Sequence, residues 1–269
     1  MNTHNSELDY YIIYDEEPEY ITLTYTQLTG LGDMPTLWAL GYHQCRWSYD
    51  SETKVQQIAQ ELRNRHIPCD VIHLDIDYMQ DYKVFTWNHK NFTNPQQLVK
   101  DLNKLGFQIV NIIDPGVKYD LEADYHVFDD GLKRDYFIHY PDGQLFYGYV
   151  CPGQAVSPDF FRTDVRQWWG NLHRTLTDIR IAGIWNDMNE PSLDNKSFCN
   201  EEGKITFEGD RITIPLNISQ GDLEYRVTHA ETHNLYGMMI VKSCRETLES
   251  LRSRRSFFLT RSGYSGIQE

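Results

Sequence analysis

The segment Ala182-Gly-Ile-Trp-Asn-Asp187-Met-Asn-Glu190-Pro191-Ser192 decides the fold that we expect for this chain. It begins as a short uncharged apolar run, continues with the two carboxylates Asp187 and Glu190, and ends near a proline that interrupts regular structure. We therefore interpret residues 181–185 as a buried parallel strand. Its carboxyl end would then present both acids where α/β barrels and open α/β sheets place their chemistry. An Asn/Asp-rich turn after an ordinary strand is the alternative.

Strand and helix patterns alternate on both sides of this segment. The predicted strands cover residues 37–42, 71–77, 107–113, 181–185 and 257–260. The predicted helices begin after Ser51, at Asn94-Pro95, at Arg162 and at His233. Five βα units with polar residues at the strand ends favour an α/β fold of the (β/α)8 TIM-barrel type over a doubly wound sheet. Five units do not close an eight-stranded barrel, so we expect an incomplete barrel or an open sheet.

Three further segments do not follow this alternation. Residues 8–14 have the pattern of a strand without a nearby partner, which suggests the last strand of a preceding domain. Residues 117–149 lack periodicity and predict an inserted loop with a turn at Pro141-Asp142-Gly143. Residues 195–228 predict a β-hairpin centred on Glu208-Gly-Asp210, with Ile212 and Ile214 alternating beyond it.

Composition excludes several classes of function. The net charge of -14 argues against a nucleic-acid partner and against an anionic membrane, and favours a neutral or cationic ligand. Six Trp, 18 Tyr and 12 Phe suit the flat faces of sugars, although most of them will form the core. Five cysteines without CxxC spacing suggest neither disulfides nor zinc, and we expect no metal or other cofactor. We find no signal-like or membrane-spanning apolar run, which predicts a soluble, cytoplasmic protein.

A series of motifs in a fixed order resembles glycoside hydrolase family 31, in its α-glucosidase branch. These motifs are Leu40-Gly-Tyr-His-Gln-Cys-Arg46-Trp47, Leu74-Asp75-Ile-Asp77-Tyr78-Met79, Phe85-Thr-Trp87, Asp114-Pro115, Pro158-Asp159-Phe160, Trp185-Asn-Asp187-Met-Asn-Glu-Pro-Ser192, His233-Asn-Leu-Tyr-Gly237 and Leu259-Thr-Arg261-Ser262. The resemblance implies that residues 31–269 form part of a (β/α)8 catalytic domain. Residues 1–30 would be the end of an N-terminal β-sandwich and its linker.

The resemblance also implies roles for individual residues. Asp187 matches the nucleophile, Asp75 matches the acid that binds the non-reducing glucose, and Arg261 matches the arginine beside the nucleophile. Other residues match the substrate pocket: Trp47, Trp185, Met188, Ile76 and Ile112. Glu190 is the second carboxylate of the catalytic segment; it supports the site from behind or, alternatively, holds the following turn.

The chemistry of retaining hydrolysis agrees with these residue types. It needs one ionised carboxylate as nucleophile and one protonated carboxyl about 5 Å away. A cation such as Arg261 would hold Asp187 ionised. Asp75 and Asp77 would point to opposite faces of a continuing strand, so we expect only Asp75 to face the ligand. For Asp114, a site role and a loop-capping role remain open. His43, His73 and His233 are expected to be structural.

The chain departs from the family pattern in two places. Cys151-Pro152-Gly153 stands where the family usually has Trp-Pro-Gly, which alters one wall of the expected pocket. The family's general acid lies in a Trp-Thr-Gly-Asp type motif after the Arg261-Ser-Gly-Tyr segment, and it is not present up to Glu269. We therefore expect a fragment of an exo-acting α-glucosidase. A transglucosylase and a non-catalytic carbohydrate-binding remnant are the alternatives.

Overall fold

The computed structural model describes residues 10–199, 205–222, 224–251 and 255–268. Its strands are β1 (His43–Gln44), β2 (Val71–Leu74), β3 (Gln108–Ile112), β4 (Val117–Lys118), β5 (Tyr147–Val150), β6 (Gly153–Val156), β7 (Gly183–Asn186), β8 (Leu193–Cys199), β9 (Ile205–Ile212), β10 (Ser219–Gln220), β11 (Val227–Thr228) and β12 (Phe257–Thr260). Its α-helices are α1 (Pro18–Thr29), α2 (Glu52–Asn64), α3 (Pro95–Lys104), α4 (His126–Lys133), α5 (Thr163–Leu172), α6 (Arg174–Thr177), α7 (His229–Thr232) and α8 (Tyr236–Leu251).

The central element is a parallel sheet of five strands in the order β1-β2-β3-β7-β12. Because the strands are parallel, their carboxyl ends lie at one edge of the sheet. Helices connect consecutive strands. The inner strand β2 is buried throughout, whereas the outer strands β1 and β12 are partly exposed. This is an incomplete (β/α)8 barrel, and it confirms the predicted fold class.

Capping and periodicity account for the helices that follow β1 and β2. The Ser51 hydroxyl accepts a hydrogen bond from the Lys54 backbone N–H at 3.4 Å, so α2 begins where predicted. The Asn94 side chain caps α3 in the same way, through the Gln97 N–H at 3.0 Å. The spacing of Leu98, Leu102 and Leu105 predicts that all three face inward, but Leu105 is 37% exposed, because α3 ends at the preceding residue.

The segment predicted as a strand at residues 37–42 forms a 3-10 helix at Leu37–Leu40 instead. Strand β1 begins three residues later, where His43 pairs with Val71 of β2. Within this run, Trp38 packs on Phe257 with ring centroids 5.1 Å apart, whereas Leu37 and Leu40 are exposed. Near the amino terminus, the described residues 10–14 of the predicted strand at 8–14 form no strand, and residues 8 and 9 lie outside the described part.

Residues 117–149, predicted as a loop, are organised and contain β4, α4 and β5. The helix and strands of this segment are too short to produce a hydrophobic periodicity in the sequence. The segment nevertheless packs tightly, since the rings of Phe128 and Phe146 are buried. Strands β4, β5 and β6 join β8 and β9 in a second, antiparallel sheet of order β4-β6-β5-β8-β9.

The predicted hairpin is present as the β8–β9 pair, but its turn was placed wrongly. Glu208 pairs with Lys196 inside β9, so Glu208-Gly-Asp210 is strand rather than turn. The connection at residues 200–204 lies outside the described part of the chain. The helix predicted from Arg162 is divided at His173 into α5 and α6.

Candidate active site

The candidate site lies at the edge of the parallel sheet where the strands end. Asp75 directly follows β2, Asp114 follows β3 by two residues, Asp187 directly follows β7 and Arg261 directly follows β12. Parallel pairing alone brings these residues to one edge. The prediction that Asp75, Asp187 and Arg261 stand at strand ends is confirmed, and their roles stay a prediction.

Arg261 binds two carboxylates of the β7 loop. Its Nε lies 3.1 Å from Asp187 Oδ1, and its Nε and Nη2 each donate to Glu190 carboxylate oxygens at 2.8 Å. The two-pronged contact is thus with Glu190, and Nη2 also lies 3.1 Å from Met188 Sδ. The hydrogen bond to Glu190, followed by the charge of Asp187, raises the pKa of Arg261. Glu190 anchors the arginine that neutralises Asp187.

Asp114 is a buried carboxyl behind this pair. It is 9% exposed, and its Oδ1 has no hydrogen-bond partner among the described residues. Burial, and then the charges of Asp187 and Asp75, raise its pKa to about 8. The group is consequently protonated near neutral pH, which spares the site a further buried negative charge.

The prediction that Asp75 and Asp77 point to opposite faces of a continuing strand is wrong, because no strand continues there, and the role of Asp75 in binding the ligand stays a prediction. The strand ends at Leu74, and Asp75 begins a 3-10 helix by accepting the Ile76 N–H at 2.7 Å. Burial is the main cause that raises the pKa of Asp75, and the charges of Asp77 and Asp187 add to it. Asp77 instead accepts a hydrogen bond from the Tyr82 hydroxyl at 3.2 Å.

The predicted pocket residues differ in exposure. Ile76 and Ile112 are buried, at 5% and 2% exposure, and Trp185 is half-buried with its ring edge-on to His73 at 5.9 Å. Trp47 is 68% exposed and lines a depression of about 410 Å³ that also includes Lys54, Ile58 and Glu61 of α2. The placement of these side chains against a substrate stays a prediction.

His43 and His73 are hydrogen-bonded to each other, as expected of structural groups. His43 Nε2 lies 3.2 Å from the Ala39 carbonyl, to which it must donate, so its Nδ1 accepts from His73 Nε2 at 3.0 Å. Burial, together with His43, lowers the pKa of His73 to about 4. His73 is therefore neutral at ordinary pH. It donates a hydrogen bond to His43 but does not act as a general acid.

Two residues near the site were not identified from the sequence. Cys45 directly follows β1 and is exposed at the surface, and the neighbouring protein atoms that displace water, and then the charges of Asp75 and Asp187, raise the pKa of its thiol to about 11. Asn189 lies within the catalytic segment but is fully buried and bonded to the β12 loop. The sequence shows that Asn189 follows Asp187 by two residues, but it gives no sign that its side chain binds Thr260 and Ser262.

The described residues contain neither a metal-binding cluster of side chains nor a membrane-spanning helix. No group of three or more His, Cys, Asp or Glu residues there is arranged to hold a metal ion. Within the same ranges, no helix has the length and apolar character needed to cross a membrane. The cytoplasmic location stays a prediction.

Comparison with known proteins identifies the family to which this fold belongs. Residues 32–269 match the glycosyl hydrolases family 31 TIM-barrel domain. Alpha-glucosidase 2 of Bacillus thermoamyloliquefaciens is 43% identical over 269 residues, which are 100% of this chain and 32% of that protein. The chain thus spans about a third of the length of this relative.

Solved structures resemble the chain closely as well. The glucosidase II alpha subunit superimposes with a TM-score of 0.81 at 34% identity, over 93% of this chain and 26% of that one. A family 31 alpha-glucosidase from Bacteroides thetaiotaomicron gives a TM-score of 0.73 at 36% identity, over 94% and 38% of the two chains.

Proposed function

Because the chain belongs to glycosyl hydrolase family 31, through its TIM-barrel domain, we propose that the complete protein removes terminal α-linked glucose from oligosaccharides with retention of configuration. The observation that carries the proposal is the contact of Arg261 with Asp187, at 3.1 Å, at the carboxyl end of the central strand. A nucleophile of this kind must be ionised, and a neighbouring guanidinium favours ionisation.

In the proposed first step, an Asp187 carboxylate oxygen attacks the anomeric carbon and the bond to the leaving-group oxygen breaks. The leaving oxygen takes a proton from a general acid, and a glucosyl-aspartate ester forms. In the second step, water attacks the same carbon from the opposite face, gives a proton to the general acid that was deprotonated in the first step, and releases the Asp187 carboxylate. Two inversions give glucose with the original α configuration.

We assign the other residues to supporting roles. Asp75 binds hydroxyls of the terminal glucose, while Glu190 holds Arg261 in place through its two hydrogen bonds. Asp114 remains protonated, so that Asp187 does not face another ionised buried acid. We place the proton donor in the remainder of the complete protein, as the family resemblance implies.

Covalent trapping tests this proposal on the complete protein. A 5-fluoro-α-glucosyl fluoride carries a good leaving group and should leave its sugar on Asp187, which peptide mass spectrometry identifies. Proton NMR of the sugar first released from an aryl α-glucoside should show α-glucose before mutarotation. Labelling of another residue, or β-glucose as the first product, would contradict the proposal. Transfer to a sugar acceptor uses the same intermediate, so the ratio of longer oligosaccharides to free glucose distinguishes a transglucosylase from a hydrolase.

A further inference from the structure

We propose that Asn189 is a positioning residue that fastens Arg261 beside Asp187. Its side chain binds the residues on both sides of Arg261, namely Thr260 and Ser262. We call this group of three residues, Asn189, Thr260 and Ser262, the asparagine clasp. The inference rests on the proposed function only in that it gives Asp187 the role of nucleophile.

The hydrogen-bond donors and acceptors of the clasp are unambiguous. The Ser262 backbone N–H can only donate, so the atom that it meets at 3.0 Å is Asn189 Oδ1. Asn189 Nδ2 therefore donates to Thr260 Oγ1 at 2.8 Å, and the Thr260 hydroxyl donates in turn to the Ser262 carbonyl at 2.9 Å. Asn189 is fully buried, and its oxygen and its nitrogen are both used.

Together with the side chain of Arg261, the clasp closes a ring between two loops. Asn189 extends from the β7 loop to the backbone around Arg261, and Arg261 extends back to Asp187 and Glu190. A buried amide has fixed partners, whereas Arg261 and Glu190 are both about a third exposed. The buried hydrogen bonds of Asn189 therefore fix the backbone position from which the exposed Arg261 side chain reaches Asp187 and Glu190.

The amino-terminal end of α8 supports the clasp from behind. A Cβ atom on Gly237 would lie 2.8 Å from the Ser262 carbonyl oxygen and 3.1 Å from both Asn189 Nδ2 and the Asn189 carbonyl oxygen. Only glycine leaves room for this approach. The clasp therefore packs directly against the first turn of α8.

Loosening the clasp should alter the ionisation of Asp187 more than the fold. In Asn189→Ala, the Thr260–Ser262 backbone loses its anchor, and the contact of Arg261 with Asp187 becomes longer or intermittent. Asp187 would then bind its proton at higher pH. If the pKa of Asp187 rises by one unit, the rate falls about tenfold at pH values below both pKa values. At higher pH, where Asp187 is ionised in both proteins, the rate is nearly unchanged.

The experiment measures the trapping rate of the complete protein with the 5-fluoro-α-glucosyl fluoride from about pH 3 to 7, a range that includes the ordinary aspartate pKa of about 3.9. We expect the acid limb to move upward in Asn189→Ala and, to a smaller extent, in Thr260→Val, which removes the hydroxyl. Thr260→Ser keeps the hydroxyl and should resemble the parent. Tyr125→Phe removes a buried hydrogen bond of 3.1 Å to the Val84 carbonyl, far from the clasp in sequence, and should lower Tm without moving the limb.

Other outcomes would overturn the inference. Equal slowing at every pH would make Asn189 a structural residue, and an unchanged limb in both Asn189→Ala and Thr260→Val would remove its positioning role. A parent that is not labelled at Asp187 would refute the proposed function instead. In that case, crystal structures of the parent and of the Asn189 variant still decide: an Arg261 guanidinium that stays beside Asp187 without the amide contradicts the clasp.

Discussion

The Nε atom of Arg261 lies 3.1 Å from Oδ1 of Asp187, although the two residues belong to different strand ends. Strands β7 and β12 are paired in register, with Asn186 opposite Thr260, so the next residue of each strand arrives at the same height. Parallel pairing thus creates this ion pair, and the chemistry of the site depends on the register of two strands.

Replacement of Asp187 by alanine in the complete protein should abolish turnover and leave the fold intact. The side chain is 18% exposed, so its loss opens no large core cavity. Added azide should restore part of the rate and give β-glucosyl azide, since a single displacement inverts the configuration. Asp101→Ala, on the exposed face of α3, is the matched control and should retain the parent rate. An Asp187→Ala variant with most of the parent activity would refute the assigned nucleophile.

Asp75→Asn should reduce kcat/KM for a terminal glucose by about 10- to 100-fold, because a charge-assisted hydrogen bond contributes about 1.5–3 kcal/mol. The amide oxygen can still accept the Ile76 N–H, so the turn after β2 should persist. Kinetics and thermal unfolding, measured on the same preparation, test the prediction together. A parallel loss of Tm and activity would make Asp75 a structural acid.

Asp114→Asn should change the dependence of stability on pH. The folded-state pKa of Asp114 is raised to about 8, so this acid contributes stability at low pH that is lost as pH rises through that value. The loss is at most about 1.4 kcal/mol per pH unit. The asparagine does not titrate, and Tm of the variant minus Tm of the parent should therefore increase between about pH 5 and 8. Asp101→Asn is the control; a flat difference for Asp114→Asn would show that its carboxyl is ionised throughout.

Gly237→Ala should destabilise the protein by about 1–3 kcal/mol, because the added methyl group lies within 2.8 Å of a backbone oxygen. Gly32→Ala is a matched control, since its Cβ would meet Gln268 at an ordinary 3.5 Å. Chemical denaturation of both variants measures the difference in free energy of unfolding. Equal stability of the two variants would show that α8 can move away from the β12 loop at little cost.

Residues 1–269 expressed alone should not hydrolyse maltose. The sequence up to Glu269 lacks the expected general acid, and loss of general acid catalysis costs on the order of 10²–10⁴ in rate. The outer edges of β1 and β12 would also remain unpaired, which favours aggregation. An aryl α-glucoside with a good leaving group needs little protonation, so it separates a missing acid from a collapsed pocket. If the monomeric protein cleaved maltose at an ordinary enzymatic rate, the general acid would have to be a residue within 1–269.

Much of the fold could be predicted because helices and buried strands carry local signals. The caps at Ser51 and Asn94 and the apolar spacing after them define α2 and α3. The convergence of Asp75, Asp187 and Arg261 followed from the rule that parallel strands end at one edge. These predictions needed only the identity and spacing of nearby residues.

The parts that could not be predicted depend on contacts between distant segments. Strand β1 has two residues, too few for a period, and only its pairing with β2 defines it. The antiparallel sheet is likewise assembled from segments on both sides of α5. Glu190 showed no sign of its two hydrogen bonds to Arg261, because they require β7 and β12 to be neighbours.

The contacts of helix α1 impose an order on biosynthesis. The Tyr25 hydroxyl binds Ser265 Oγ at 2.8 Å, and Gln268 Nε2 donates to the Thr29 carbonyl at 2.9 Å, across 240 and 239 residues of chain. The ribosome releases α1 long before residues 265–268, so these contacts cannot form until residue 268 has emerged. Such a long loop has a high contact order, and its closure is slow even where its entropic cost grows only logarithmically with length. With no buried residue of its own, α1 docks only after synthesis has passed residue 268.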